Sequence, residues 1–345
     1  SYLNRATSLF NLKAYEQAEK DFIFILDNIL SENILNEALL GMQKIVPYTN
    51  NYNLLNKYVE SYRNKFPKNK NIEIIQYETL RNLYFNQKYN EFIKSSKKYR
   101  IDNGVSLNLL EINFYTAESF FRQTKYDSAI NFYESVIDSL NTRYYSRSLN
   151  RIALIKQKQN KFEESLEFYK ILNKISKNNR EKIDSYVGII YNYFYLNNTD
   201  SLSYYSQQIN KYEKISFTNR NKINLLIAKS YLKNDNESAA IDMLLTTINL
   251  VKDESAAEAQ YLLAELFFNK NENKQALETL YTLNENFLTQ DYWVGKSYLL
   301  IAKIFISMNE KFQASATLNS LIENSKIDEI KKEASNLLLE INTNE

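Results

Sequence analysis

Residues 111–140 read EINFYTAESFFRQTKYDSAINFYESVIDSL. Ala117 and Phe120 fall on one predicted helix, and Ala129, Tyr133 and Val136 on a second, with Gln123-Thr124-Lys125 as the polar turn between them. Side chains as small as Ala117 and Ala129, twelve residues apart, let two helices approach closely. Phe120, Tyr126 and Tyr133 have the volume to fill the space around that contact. The stretch therefore predicts a helical hairpin with one small residue on each arm.

The same hairpin recurs from end to end, about nine times. The slot that opens each second helix is held by Ala18, Leu55, Phe92, Ala129, Ser165, Ser201, Ala240, Ala276 and Ala314, in steps of 37, 37, 37, 36, 36, 39, 36 and 38 residues. Four positions on stand Phe22, Val59, Ser96, Tyr133, Tyr169, Tyr205, Leu244, Leu280 and Leu318, apolar in all but one case. The first helix of each unit has its own small slot: Ala6, Gly41, Ala117, Ala153, Gly188, Ala228, Ala264 and Ala302. Leu80 replaces the small residue in the third unit, which predicts looser packing there. Polar turns separate the arms, from Asn11-Leu12-Lys13 through Gln159-Asn160-Lys161 to Met308-Asn309-Glu310.

Composition agrees. Among 345 residues there are only 4 Gly and 2 Pro, so little interrupts helices or shapes long loops. Cysteine and histidine are both absent, which excludes disulfides, thiol nucleophiles, imidazole bases and zinc knots. Cofactors and metals are expected to be none. A metal site would have to come from carboxylates and amides, and no EF-hand spacing is present. Ser95-x-x-Lys98 and Ser230-x-x-Lys233 match the serine–lysine spacing of some acyl-transfer enzymes, but each lies in a predicted helix with no companion motif. The expectation is a chain with no catalytic residues, not an enzyme.

Net charge is +2 and unevenly spread. Residues 143–233 hold 17 Lys/Arg against 7 Asp/Glu; residues 234–345 hold 9 against 18. Arg143, Arg147 and Arg151 recur every four residues beside Tyr144 and Tyr145. That row could track phosphates, yet Glu163, Glu164 and Glu167 follow closely, so nucleic acid is an unfavoured partner. No run is long and apolar enough to span a bilayer; Tyr186–Leu196 comes nearest. The chain opens Ser1-Tyr2-Leu3, without Met, inside a repeat helix. This predicts a truncated N-terminus, and contact with a membrane only through a missing N-terminal anchor or a partner.

A unit of about 34 residues or slightly more, with these small and aromatic positions on both arms, resembles the tetratricopeptide repeat. Pro67 stands where that family often closes its second helix; the second and sixth units depart most from the pattern. The segments Asp291–Lys296 (DYWVGK), Leu300–Phe305 (LIAKIF), Phe312-Gln313-Ala314 and Thr317–Asn324 (TLNSLIEN) are similar to the C-terminal repeat of large tetratricopeptide-repeat proteins of Bacteroidota. The resemblance implies an all-α, right-handed superhelical solenoid, a single array over 1–345. Its repeats would run to residue 324, with a capping helix and tail in 325–345. The apolar stripe Ile327, Ile330, Ala334, Leu337, Leu338 and Ile341 supplies the cap a solenoid end needs.

The resemblance also implies that first helices line an inner, concave surface. Glu111, Phe114, Glu118 and Phe121 would point inward in the fourth unit, and Arg147, Asn150, Lys182, Lys222 and Lys229 in the basic middle. Of these, Arg147, Asn150, Lys182, Lys222, Lys229, Phe114 and Phe121 are the candidate partner-binding residues. They would suit a protein or peptide with an acidic stretch. The expected function is a non-catalytic interaction scaffold in a bacterial cell-envelope assembly, periplasmic or envelope-located. A cytosolic regulator or peptide sensor is the alternative. The missing upstream sequence would separate the two.

Overall fold

The structure, a computed structural model, describes residues 1–67, 69–104, 106–139, 142–212 and 215–343, with side chains as far as residue 341. Leu140, the last residue of the stretch quoted above, and the final two residues of the tail lie outside the described residues. Among the described residues there are nineteen helices and no strand. They alternate as first and second arms: α1 (Tyr2–Asn11) and α2 (Tyr15–Asn28), α3 (Glu32–Thr49) and α4 (Tyr52–Lys65), α5 (Asn71–Phe85) and α6 (Tyr89–Asp102), α7 (Leu109–Arg122) and α8 (Tyr126–Ile137), α9 (Tyr145–Lys158) and α10 (Phe162–Ile175). Next come α11 (Asn179–Tyr195) and α12 (Thr199–Ile209), α13 (Phe217–Lys233) and α14 (Glu237–Leu250), α15 (Glu254–Asn269) and α16 (Asn273–Asn286), α17 (Asp291–Ser307) and α18 (Lys311–Asn324), and finally α19 (Asp328–Thr343). The chain divides into two compact units, residues 1–155 and 156–345.

One backbone device makes every hairpin. Lys13, Asn50, Gln87, Thr124, Asn160, Asn197, Asp235, Asn271 and Asn309 all have positive φ, between 53° and 65°, and each lies in one of the nine predicted turns. A left-handed residue after a first arm turns the chain back and lets the next N–H reach a carbonyl five residues earlier. Lys125 N bonds Phe120 O at 3.0 Å, Lys161 N bonds Lys156 O at 2.9 Å, and Glu310 N bonds Phe305 O at 2.8 Å in this way. None of these nine residues is glycine, so each turn carries a conformational cost that packing of the arms must offset.

Packing does so through the small slots. Ala6, Ala18, Ala117, Ala129, Ala228, Ala264, Ala276, Ala302 and Ala314 are completely buried. A methyl group at Gly41 would sit 2.3 Å from the Phe22 ring, and one at Gly188 2.4 Å from the Tyr169 ring. The aromatic of one second arm thus presses on the small slot of the following first arm. Burying such a ring contributes about 1.5–3 kcal/mol.

In unit 1, large residues replace small ones at three successive slots. Leu55 on α4, Leu80 on α5 and Phe92 on α6 are all buried. They wedge the arms apart, and a groove of ≈ 470 Å³ follows, floored by Thr79, Leu80 and Leu83 and walled by Asn53, Asn56 and Glu60 of α4 and Lys94, Ser95 and Lys98 of α6. The looser packing expected at Leu80 is thus present.

Unit 2 adds side-chain helix caps. Asn178, Asn198, Ser216, Asn236 and Asp253 each cap a helix by accepting a backbone N–H. Buried Asn192 donates to Ser165 Oγ at 3.0 Å and accepts from Gln157 Nε2 at 3.1 Å. At the far end α19 lays Ile330, Ala334 and Ile341 over Leu299, Leu318 and Leu321 of α17 and α18. The expected stripe is therefore the one that packs.

Candidate functional site

In unit 1, side chains of α7 meet those of the first two turns of α9 and of the residues just before it. Glu111, Phe114, Glu118 and Phe121 occur at steps of three and four, so one stripe of α7 carries acid, ring, acid, ring. Arg143, Arg147 and Arg151 answer them. Arg143 pairs with Glu111 and lies over the Tyr144 ring at 4.6 Å. Arg147 sits 4.8 Å above the Phe114 ring. Arg151 grips Glu118 with both prongs, Nε to Oε1 at 2.7 Å and Nη2 to Oε2 at 3.2 Å, while covering the Phe121 ring at 4.6 Å.

Glu118 is 2% exposed and also accepts from Tyr133 OH at 2.6 Å. Burial pulls the Arg151 guanidinium down, but its hydrogen bonds and charge pairing with Glu118 raise it above its ordinary value. Arg81 of α5 approaches Glu111 from the other side, Nε to Oε1 at 3.8 Å. Tyr77 beside it is pushed up to about 12, first by burial and then by the Glu111 charge. In this row Arg147 alone has no carboxylate among the described residues. It is exposed, fixed from below by a ring, and flanked by two arginines whose charges are balanced.

The seven candidate residues thus separate by availability. Phe114 is fully buried, stacked on Tyr144 at 4.5 Å, so it supports Arg147 and does not itself face outward. A partner-facing position was expected; instead the ring is enclosed by Tyr144, just before α9, and by Tyr133 of α8. Phe121 is half-buried under Arg151. Asn150 is half-buried. In unit 2, Lys182 donates Nζ to the Asn173 backbone carbonyl, and Lys229 pairs with Glu258. Lys222 is exposed, with no ion pair among the described residues. The accessible cations are therefore Arg147 in one unit and Lys222 in the other.

The sequence did not single out the tyrosine stack beside the row. Tyr84 and Tyr115 lie parallel at 4.2 Å, and Tyr115 touches Tyr144 edge-on at 6.2 Å. These rings hold different positions relative to their small slots, so no periodicity marks them. Among the described residues there is no group of three or more Asp or Glu placed to hold a metal ion, and no helix long and apolar enough to cross a membrane.

Comparison with known proteins bears on the fold. Residues 112–139 match the tetratricopeptide repeat family model. No curated protein matches the sequence. A solved tetratricopeptide repeat protein from Parabacteroides merdae superposes with TM-score 0.56 at 16% identity, over 77% of this chain and 98% of that one. The C-terminal part of a TPR repeat-containing protein from Cytophaga hutchinsonii gives 0.52 at 15%, over 74% and 98%. The apo form of the quorum sensor NprR from B. thuringiensis gives 0.51 at 13%, over 93% and 97%. One repeat matches the tetratricopeptide model in sequence, and most of the chain shares the helical-repeat fold of solved tetratricopeptide repeat proteins.

Proposed function

We propose that the chain is a non-catalytic scaffold that holds an extended segment of a partner protein against its first-arm helices. The observation that carries this reading is Arg147: a guanidinium fixed on a buried ring, exposed, and lacking the carboxylate that each neighbour in its row has. A partner with an acidic stretch supplies that carboxylate, and Lys222 offers a second, separate point in the other unit. A bacterial cell-envelope assembly is the proposed setting. Its support is the unit length slightly above the family norm and the likeness of fold to Bacteroidota repeat proteins. A peptide sensor is the second reading, supported by the likeness of fold to a quorum sensor over 93% of the chain.

The test compares Arg147→Glu with Lys170→Glu, a charge reversal on a second-arm helix. Bacterial envelope extract is passed over each immobilised protein at low and moderate salt. A specific band held by the wild type and by Lys170→Glu, lost with Arg147→Glu and weakened by salt, supports the reading. Equal loss with both variants, or none with either, removes Arg147 from the binding surface.

A further inference from the structure

Two successive joints in unit 1 are copies 37 residues apart, and one lacks a part that the other has. At the α4–α5–α6 joint, Arg63 pairs with Asp102 at 2.5 Å and donates Nη2 to Gln76 Oε1 at 2.7 Å. Gln76 Nε2 in turn donates to Asp102 Oδ2 at 3.3 Å. Advancing 37 residues puts Arg100 in place of Arg63, Asn113 in place of Gln76, and Ser139 in place of Asp102. At the α6–α7–α8 joint the arginine is kept and its carboxylate is gone.

What remains around Arg100 is organised. Its Nη1 donates to Thr116 Oγ1 at 3.2 Å and Ser96 Oγ at 3.4 Å. Both hydroxyls are completely buried, and they give their own protons to the Ile112 carbonyl at 2.7 Å and the Ile93 carbonyl at 2.9 Å. They are thereby left as acceptors, which fixes Nη1 and aims the guanidinium. The Phe132 ring lies 4.7 Å from Cζ and covers one face. Neither the ring nor the hydroxyls engage the Nε–Nη2 edge, and Arg100 has no ion pair among the described residues. Asn113 Oδ1 is buried without a hydrogen-bond partner among the same residues, where Gln76 at the sister joint has three. Half-burial of Arg100 without a counter-charge leaves its desolvation uncompensated and pulls its pKa down.

We propose that this joint is a docking point for one carboxylate-like oxyanion, gripped by the Nε–Nη2 edge of Arg100, with Ser96 and Thr116 positioning the guanidinium. An acidic side chain of a partner protein and a free small carboxylate share that chemistry. The site lies against second arms α6 and α8, on other residues than the Arg147 row, and stands or falls separately from it.

The test labels the wild-type protein with phenylglyoxal, which modifies accessible arginines, and follows Arg100 by peptide mass spectrometry. Probes are sodium acetate and a blocked hexaglutamate peptide, each against sodium chloride at equal ionic strength. Protection of Arg100 by about threefold at twice the dissociation constant is the expected result. Hexaglutamate protecting at about tenfold lower carboxylate concentration than acetate identifies a protein-borne group. Equal concentrations identify a free anion. Protection no greater than in chloride overturns the proposal. Thermal unfolding adds a second reading: acetate should raise the wild-type midpoint and leave that of Arg100→Gln unchanged, and an equal rise in both also overturns it. Should Arg100→Gln fail to fold, the labelling of the unaltered protein decides alone.

Discussion

Gly188 has no room for a methyl group, because three Tyr169 ring atoms lie 2.4–2.5 Å from where its Cβ would be. Gly188→Ala should destabilise unit 2 by about 1–3 kcal/mol in chemical denaturation, since the ring must leave its well-packed position. Gly104→Ala is the control: its nearest neighbour would be the Arg100 carbonyl at 3.7 Å, and little change is expected. Thr124 presents the opposite case. A β-branched residue at φ 59° is strained, and its hydroxyl bonds only the adjacent Gln123 carbonyl at 2.6 Å. Thr124→Gly should therefore stabilise the α7–α8 hairpin, by about 1 kcal/mol in the same measurement.

At the scale of the element, the last helix is held by charge as well as by its apolar stripe. Glu333 of α19 accepts from Lys296 and Lys303 of α17, each at 3.1 Å. Burial pushes the Glu333 carboxyl up, but the two ammonium groups outweigh burial and hold it below the ordinary glutamate value. A carboxylate held low contributes fully above its unfolded-state pKa of about 4.3, and that contribution is lost as pH falls through the folded-state value. Glu333→Gln should cost about 1 kcal/mol or less at neutral pH, because the clamp is partly exposed. Denaturant midpoints of wild type and variant should converge as pH drops below about 4. A gap that persists in acid would mean that Glu333 acts through packing.

For the molecule as a whole, the repeats were legible and the binding surface was not. Slots such as Ala117 and Ala129 repeat because every hairpin solves the same close-approach problem, and the nine left-handed turns fall where polar triplets recur. Charge on an inward position carries no such guarantee. Whether Lys229 or Arg147 is free depends on a residue in another repeat: Glu258 answers the first, 29 positions on, and no carboxylate among the described residues answers the second. Glu111 and Glu118 likewise meet arginines 32 and 33 positions away. It follows that reversing Arg147 should weaken partner capture more than reversing Lys229, whose charge is already balanced. Titrating a captured partner against both variants checks this. Stronger loss at Lys229 would show that its pair with Glu258 opens on binding.

The wedge made by Leu55, Leu80 and Phe92 has a mechanical side. It holds α4 and α6 apart over a gap of ≈ 470 Å³, and the two helices are tied across it by charge, Arg63 to Asp102 at 2.5 Å and Lys98 to Glu60 at 2.6 Å. Under tension this joint would hold by its charged ties where other hairpins hold by nested small residues, so a stiffness set by three oversized side chains should fall as salt rises.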